Sequence, residues 1–379
     1  MIRRHIAAVI PAAGLSSRMG SFKPLLRFGD GLTVIERSID LFLSVGITDI
    51  TVVTGHKASE ISPLLARYPV REAYNPAYAE GMFSSLLRGI ASLGPEVDGA
   101  CILPVDIPLV REQTLKHLIQ AFNKGARIVY PAFEGKRGHP PLIEKDTLQE
   151  ALDWSGQGGL RAFLEERDTL SCDVPVPDEG ILQDMDHPED YRLLRKRYAR
   201  LDLPSEEECL FLQEMYETDP GVRSHCRLVA EAAAGLGGAL NKRAYGLNLE
   251  LIQAAGLLHD LVRHLPDHAK KGAKILEGFG FPGVAAIVAV HIDLETASDD
   301  RISEAELVYL ADKLVRGENS VSLEDRFLEK EQKFKDRPEA AAAVRKRYVR
   351  ARKTKLRLEK ALGMNLEKIF RIRFEPPDF

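Results

Sequence analysis

IAAVIPAAGLSSRMG, residues 6–20, begins as an apolar segment and ends in a loop of small residues. Its first part, Ile6–Ile10, predicts a buried β-strand, because short apolar runs bounded by turn residues are typical of strands. The basic start, Met1 to His5, could open a leader, but the apolar run behind it is brief and leads directly into a glycine turn. The stretch therefore predicts the first strand of a sheet, followed by a turn at Gly14.

Strands and helices alternate through the rest of the first half of the chain. Further strands are predicted at Ile50–Thr54, Ala100–Pro104 and Arg127–Tyr130, and Val34–Val45 has its apolar residues spaced for one face of a helix. Strand, crossover helix and strand is the pattern of an open parallel sheet. The predicted fold of this half is an α/β doubly wound, mostly parallel sheet.

From about residue 205 the strand signal fades and helical periodicity takes over. Pro204 ends one helix and Ser205 suits the start of the next, so Asp202–Glu206 is interpreted as a junction. An all-α second half is predicted, and its basic end is interpreted as a solvated helix face. The predicted helices are Glu206–Tyr216, Cys226–Leu240, Leu249–Leu258, Lys270–Phe279, Val284–His291, Ser303–Arg316 and the stretch after Pro338.

Length, composition and charge predict a cytoplasmic enzyme of more than one domain. A chain of 379 residues exceeds what one hydrophobic core usually organises. The net charge of −4 provides no general attraction to nucleic acid or to anionic membranes. No apolar run approaches the roughly 20 residues that span a bilayer, and the 4 scattered cysteines form no disulfide or zinc pattern.

The loop after the first strand has the chemistry of a phosphate site. It lacks the spacing of a dinucleotide fingerprint and of a P-loop. The small residues Ala12, Ala13 and Gly14 let backbone amides approach phosphate oxygens. Arg18 and Lys23 add positive charge for a triphosphate. On this loop alone, a structural turn with surface cations is an equally good interpretation.

Six ordered motifs over residues 5–195 resemble the NTP-transferase superfamily. They are residues 11–26, Asn75–Leu86, Leu103–Val110, Gly135–Pro141, Gly158–Arg161 and Asp184–Tyr191. Within the superfamily, Gly-His-Pro at residues 138–140 and the stretch from Asn75 are most similar to molybdenum cofactor cytidylyltransferases, a MobA-like group. Ala-Ala-Gly at 12–14 is similar to the cytidylyl form, whereas guanylyl relatives carry a second glycine. Sugar-phosphate nucleotidyltransferases share the fold and stay an alternative.

This resemblance implies transfer of CMP from CTP, or less well of GMP from GTP, to a phosphorylated acceptor such as molybdopterin. Asp106 follows a strand, where a carboxylate is well placed to bind Mg²⁺, and the resemblance adds Asp186, with Asp184 as the alternative. Lys23 and Asp106 are the implied catalytic residues. The implied nucleotide-binding residues are Ala12, Ala13, Gly14, Arg18, Lys23, Gly81, Ser84 and Ser85, and the implied acceptor-binding residues are Arg137 and His139.

The second half places histidines and aspartates within apolar helical stretches. A single histidine there would be a core residue, but burying several ionisable groups is costly unless they share a metal or one another. The set therefore predicts a buried site. Its members are His225, His259, Asp260, His268, His291 and Asp312.

The order of these residues resembles the HD superfamily of metal-dependent phosphohydrolases over residues 223–318. His268 and His291 match the subset that binds two metals, which includes enzymes that cleave dinucleoside polyphosphates. The resemblance implies one or two Fe, Mn or Zn ions, with Asp260 as the bridging catalytic carboxylate. Lys313 and Arg316, taken as one helical turn apart, are candidates to contact substrate phosphate. The neighbours His264 and Asp293 are interpreted as surface or supporting residues.

Together these observations predict a bifunctional enzyme. We expect a MobA-like transferase domain at 1–198, an HD phosphohydrolase domain at 205–335 and a basic helical extension at 336–379. Molybdenum enzymes that receive the cofactor are possible protein partners. The alternatives are a sugar- or alcohol-phosphate nucleotidyltransferase with the same hydrolase, an HD domain that has become regulatory, and a nucleotide-binding maturation or chaperone module with little turnover.

Overall fold

The computed structural model describes residues 4–29, 31–155, 157–294, 301–317 and 319–366. The chain folds as two units, Met1–Leu201 and Asp202–Phe379. The first three residues of the basic start lie outside the described residues. The domain boundaries expected at 198, 205 and 335 stay predictions.

The first unit is built on a mixed, mostly parallel sheet. Its strand order is β10-β7-β9-β6-β1-β4-β5, with β8 beside β7. Strand β9 is antiparallel to both β6 and β7, whereas β1 is parallel to β4 and β6. The doubly wound α/β prediction is confirmed. The strands are β1 (Ile6–Pro11), β2 (Arg27–Phe28), β3 (Leu32–Thr33), β4 (Asp49–Thr54), β5 (Arg71–Tyr74), β6 (Gly99–Ile102), β7 (Ile128–Phe133), β8 (Lys136–Arg137), β9 (Leu142–Glu144) and β10 (Ser171–Pro175).

Strand β1 occupies the middle of this sheet because its sequence is apolar throughout. All six residues of Ile6–Pro11 are buried, as a strand covered on both faces requires. Hydrogen bonds to β4 on one side and β6 on the other place the ends of these strands at one edge. The loop after β1 and the residues after β6 therefore meet there, which is where open α/β sheets bind ligands.

Helices cover the sheet of the first unit. Helix α1 starts at a capping box in which Thr33 and Glu36 satisfy each other's backbone amides, and Ile35, Ile39 and Phe42 are fully buried. The amphipathic helix predicted at 34–45 is therefore confirmed. The helices are α1 (Val34–Ser44), α2 (Ala58–Leu65), α3 (Met82–Ile90), α4 (Glu112–Asn123), α5 (Lys145–Glu150), α6 (Gly159–Glu165) and α7 (Pro188–Tyr198).

The second unit is helical apart from a short hairpin, β11 (Val315–Arg316) with β12 (Asn319–Ser320). Ser205 and Glu208 form the capping box that begins the unit's first helix, as the junction predicted. In the described residues, no helix is both long and apolar enough to cross a membrane. The helices are α8 (Glu206–Met215), α9 (Pro220–Asn241), α10 (Leu249–Leu258), α11 (His268–Gly278), α12 (Pro282–Val290), α13 (Glu304–Leu314), α14 (Leu323–Lys333) and α15 (Pro338–Leu362).

Two predictions for the second half are wrong in part. The helix predicted to Arg316 ends at Leu314, because the chain turns there into the hairpin. The basic face of α15 is not simply solvated, since Arg347 binds Asp293 and Arg357 binds the buried Glu306 of α13. These ion pairs fasten α15 to the helical core.

The close contact between α9 and α10 generates a stability prediction. A Cβ added at Gly256 would lie 2.5 Å from the Cα of Ala230, so Gly256→Ala must push the two helices apart. We expect a loss of about 1–3 kcal/mol, the usual cost of overpacking. Hydrogen exchange of α9 and α10 peptides in the full chain would measure it as faster exchange.

The matched control is Gly238→Ala on α9, where an added Cβ meets nothing within 4 Å. This change is expected to slow exchange slightly, because alanine favours a helix by about 0.5–1 kcal/mol over glycine. Equal protection in wild type and Gly256→Ala would contradict the packing described here.

Candidate active sites

A cavity of about 520 Å³ lies at the strand edge of the first unit where β1 and β6 end. Its walls come from the loop after β1, the segment before α3, and the residues that follow β6. Asp186 completes the lining. The lining residues are Pro11–Arg18, Lys23, Pro24, Tyr78, Ala79, Gly81, Met82, Ser85, Pro104, Val105, Asp106 and Asp186.

Local hydrogen bonds shape the loop after β1. The amide of Ala12 donates to Val53 O at 2.8 Å and so extends the sheet beyond the end of the strand. Ser16 adopts a left-handed conformation, with φ 53°, and its Oγ accepts from the backbone amide of Lys23 at 3.1 Å. The turn thereby brings the side chain of Lys23 back towards the residues that follow β6.

The side chain of Lys23 joins two carboxylates, an arrangement called here the Lys23 clamp. Its Nζ lies 3.2 Å from Asp106 Oδ2 and 2.7 Å from Asp186 Oδ1, and the lysine side chain is only 10% exposed. Arg18 contacts the other oxygen of Asp186 at 3.0 Å. The structure thus brings together Arg18, Lys23, Asp106 and Asp186, four residues that the sequence nominated separately.

The clamp alters the protonation of its members. Burial lowers the pKa of Lys23, but the hydrogen bond to Asp186 and the charges of both carboxylates outweigh it, so the pKa is raised. The hydrogen bond from Lys23 lowers the pKa of Asp186. By contrast, burial and the nearby charges of Asp186 and Asp106 raise the pKa of Asp184. The alternative ligand Asp184 therefore lies beside the clamp, where the charge of Lys23 offsets these effects only in part.

The clamp residues fit a Mg²⁺ ion. One oxygen each from Asp106 and Asp186 converges on a single cationic atom, the Nζ of Lys23. Carboxylate oxygens are the ligands that Mg²⁺ prefers. The assignment of both aspartates to the metal stays a prediction.

Ser84 and Ser85 are held by Asn75, a residue to which the sequence pattern assigned no role. The buried Asn75 donates through Nδ2 to Ser84 Oγ at 2.9 Å and to Ser85 Oγ at 3.0 Å. Ser84 in turn donates to Gly81 O at 2.9 Å, whereas Ser85 lines the cavity. Asn75 therefore positions the segment that lines the cavity together with the loop after β1.

The two acceptor candidates differ in their relation to the clamp, since only His139 has a pKa affected by the charge of Asp106. Arg137 on β8 binds Asp168 at 2.5 Å and Asp173 at 2.7 Å. His139 is largely buried, which lowers its pKa, and its amide donates to Ile181 O at 2.9 Å. Within the described part of the chain, neither residue belongs to the cavity lining. Their role in acceptor binding stays a prediction.

In the second unit, all six nominated residues meet in one buried cluster. His268 Nε2 and His291 Nε2 lie 3.1 and 3.4 Å from Asp260 Oδ1. His225 Nε2 lies 3.2 Å from Asp312 Oδ1, and His259 Nε2 lies 3.5 Å from Asp260 Oδ2. Asp260 thus belongs to two groups with metal-site spacing, one with His225 and His259, the other with His268 and His291.

Backbone carbonyls orient two of these histidines. The Nδ1 atoms of His259 and His291 lie 2.8 Å from Gly256 O and 2.7 Å from Val288 O. A ring that donates through Nδ1 presents the lone pair of Nε2. His259 Nε2 is buried without a hydrogen-bond partner, and burial lowers the pKa of this histidine to about 4. A neutral imidazole nitrogen with no donor to bind fits a transition-metal ligand.

Cations surround the two aspartates of the cluster. Burial alone would raise the pKa of Asp312, but Lys313 and the histidines hold it well below its ordinary value. Lys313 Nζ lies 2.5 Å from Asp312 Oδ2 and donates to His291 O at 3.0 Å. Arg316 lies in β11 and binds Glu329, so its predicted helical pairing with Lys313 is wrong.

Two further arginines of this site were not predicted from the sequence. Arg263 binds Asp260 at 2.7 Å, and Arg326 approaches Asp312 at 3.5 Å. Arg263 follows Asp260 by three residues, a spacing that could have predicted their ion pair. Arg326 lies on α14, a helix that was not predicted. His264 is exposed, as expected, and Asp293 is held by Arg347.

Comparisons with known proteins agree with this division of the chain. The model of the MobA-like NTP transferase domain matches residues 8–172, and that of the HD domain matches residues 222–317. The molybdenum cofactor cytidylyltransferase of Escherichia coli strain K12 is 30% identical over 198 residues, covering 52% of this chain and 98% of the relative. The bifunctional protein GlmU of Thermoanaerobacter pseudethanolicus is 33% identical over 171 residues, covering 43% of this chain and 34% of the relative.

Among solved structures, a nucleotidyl transferase from Methanothermobacter thermautotroptrophicus matches with 28% identity and a TM-score of 0.46, covering 52% of this chain and 98% of that one. The family model and the similarity to the Escherichia coli relative identify the first unit as a nucleotidyltransferase. More narrowly, the chain belongs to the MobA-like NTP transferases, and its second unit adds an HD domain.

Metal removal is expected to weaken the second unit. Bound metal stabilises the folded state by mass action, by about 2.7 kcal/mol at a free concentration of 100 times Kd. EDTA should therefore lower the calorimetric unfolding temperature of the full chain, and Mn²⁺ should restore it. His259→Ala should lose most of the bound metal measured by inductively coupled plasma mass spectrometry.

The exposed His264 provides the matched control, since it lies five residues from His259 in sequence and outside the cluster. His264→Ala should retain the wild-type metal content. Equal loss in both variants, or full retention in His259→Ala, would contradict the cluster as a metal site.

Proposed function

We propose that the chain is a bifunctional enzyme. Its first unit transfers CMP from CTP to a phosphorylated acceptor, molybdopterin, and its second unit is a metal-dependent phosphohydrolase. The observation that carries the transferase proposal is the Lys23 clamp, which gathers Lys23, Asp106 and Asp186 at the floor of the cavity. The name and similarity of the Escherichia coli relative support the choice of CTP and molybdopterin.

In the proposed transfer, a phosphate oxygen of the acceptor attacks the α-phosphorus of CTP. The bond from that phosphorus to the bridging oxygen breaks, and pyrophosphate leaves with its electron pair. Arg18 and Lys23 neutralise the charge that builds up on the phosphates, so catalysis consists mainly of positioning and cationic stabilisation. Asp106 and Asp186 would hold Mg²⁺, which supplies further neutralisation when bound.

The sequence of the loop after β1 supports the choice of CTP as the nucleotide. The methyl groups of Ala12 and Ala13 belong to residues that line the cavity. The resemblance of Ala-Ala-Gly at 12–14 to the cytidylyl form supports CTP over GTP. The carbonyl of Ala13 accepts from His56 N at 3.2 Å, which fixes the backbone of the loop.

In the second unit, the proposed hydrolase uses the histidine and aspartate cluster. His225, His259, His268 and His291 present ring nitrogens around Asp260, which lies between the two ligand groups. When bound, the metal supplies an activated hydroxide and a clamp for a phosphate oxygen. Lys313 and Arg263 hold the two aspartates in place through ion pairs.

The two proposed reactions are separable by mutation. With purified full chain, Mg²⁺, CTP and molybdopterin, we expect pyrophosphate release that requires both substrates. Asp106→Ala should lower this rate by at least about 100-fold, because the Mg²⁺ that Asp106 would hold, and with it a positive charge that stabilises the transition state, is lost. Asp260→Ala should leave it unchanged, because Asp260 belongs to the other unit.

Several outcomes discriminate between the proposal and its alternatives. Release with GTP in place of CTP would overturn the choice of base. Release with a sugar phosphate but not with molybdopterin would move the acceptor to that class. Tight binding of CTP without any release would indicate a binding module, and the transferase proposal would be wrong.

A further inference from the structure

A second cavity, of about 380 Å³, opens beside the histidine and aspartate cluster of the second unit. Its inner side is formed by ligand candidates, among them Asp260, His291 and Asp312. Its outer side comes from helices α14 and α15, which follow the last residue of the HD match, residue 317. The side of the cavity that faces the cluster is therefore built by helices outside the matched HD domain, and is called here the α14–α15 wall.

The α14–α15 wall carries excess positive charge. Arg326, Lys330 and Lys333 of α14 line the cavity. In the described residues, Lys330 and Lys333 have no carboxylate within ion-pair distance. Two acidic residues of the same helix are engaged elsewhere, since Glu329 binds Arg316 and Glu331 binds Arg345.

Arg326 has an unused donor at this wall. Its side chain is only 11% exposed, and one end of the guanidinium donates to Val315 O. Its Nε is buried without a hydrogen-bond partner. Burial and the charges of Arg326 and Lys313 lower the pKa of Lys330 to about 8, and the charge of Asp312 offsets this effect only in part. Such a group attracts an anion of more than one charge.

The same wall also has an apolar part. Phe327, Phe334 and Val344 line the cavity next to the cations. Phe327 is buried and packs against Tyr348, with ring centroids 5.4 Å apart, so this surface is rigid. Inorganic pyrophosphate would leave these rings uncovered. A volume of about 380 Å³ lies within the range of small-molecule pockets, roughly 300–1,000 Å³.

We propose that this cavity binds a nucleoside diphosphate, with its phosphates at Arg326 and Lys330 and its ring system against Phe334. The inference rests on the proposed phosphohydrolase, and it names the class of substrate for that site. A ligand with two phosphates satisfies the unused donor and the crowded lysine, and its base covers the apolar part of the wall.

Lysine labelling in the full chain tests binding without relying on catalysis. A lysine with a lowered pKa reacts readily with acetic anhydride near neutral pH. ADP or CDP should protect Lys330 from acetylation, measured by mass spectrometry of its peptide. Lys335, which follows α14 and is not a lining residue, is the internal control and should be labelled equally with and without nucleotide. Equal labelling of Lys330 in both conditions would overturn the proposal.

Kinetics of the Mn²⁺-loaded full chain provide the second measurement. Lys330→Gln should raise KM for ADP by about tenfold and leave kcat within about twofold, as expected for loss of one charge-assisted contact made before the reaction. Phe334→Ala should raise KM for ADP but leave pyrophosphate protection of Lys330 unchanged. Lys335→Gln, with the same change in charge, should behave as wild type. An unchanged KM in Lys330→Gln would contradict the assignment.

Failure of the proposed hydrolase is distinguishable from failure of this inference. Hydrolysis of p-nitrophenyl phosphate by wild type, lost in Asp260→Ala, tests the hydrolase alone. Protection of Lys330 by ADP without any hydrolysis would support the binding site and contradict the hydrolase. Stronger protection by inorganic pyrophosphate than by ADP would overturn the nucleotide assignment.

Discussion

The first unit's cavity depends on the ion pairs that the ammonium of Lys23 forms with Asp106 and Asp186. This ammonium joins the loop after β1, the residues after β6 and the segment before α7, which are 83 and 163 residues away in sequence. Two carboxylates this close would repel each other without a cation between them. The apolar strand β1 makes the arrangement possible, because its position between β4 and β6 brings the loop to the edge where β6 ends.

The second unit also holds carboxylates that need nearby positive groups, and there these groups are histidines, a lysine and an arginine. Asp260 lies between two sets of histidines, and its charge is further balanced by Arg263. Burial lowers the pKa of His259 to about 4, which favours the neutral imidazole at physiological pH. Oxygen ligands around a lysine suit Mg²⁺ and a triphosphate, whereas nitrogen ligands around an aspartate suit a transition metal. The chemical difference between the two clusters is the basis for assigning them two reactions.

Sequence patterns predicted the parts of the structure that burial dictates. The apolar run Ile6–Ile10 and helix α10 were found because continuous burial leaves a strong signal, and the six ligand candidates were found because charged groups interrupt apolar helices. Strands β5 and β10 were not predicted, because they are short and largely exposed at the two ends of the sheet. Helix α14 is strongly polar, and the contact of Arg326 with Asp312 joins residues that no sequence spacing relates.

The most direct measurement of the central claim is calorimetric binding of Mg²⁺·CTP to the wild-type chain and to Lys23→Met. If the clamp organises a nucleotide site, binding should weaken by at least about tenfold, since a charge-assisted contact to phosphate is lost. Lys116→Met is the matched control, because this lysine lies on the exposed side of α4 and pairs with Glu112. Unchanged affinity in a folded Lys23→Met protein would contradict the account.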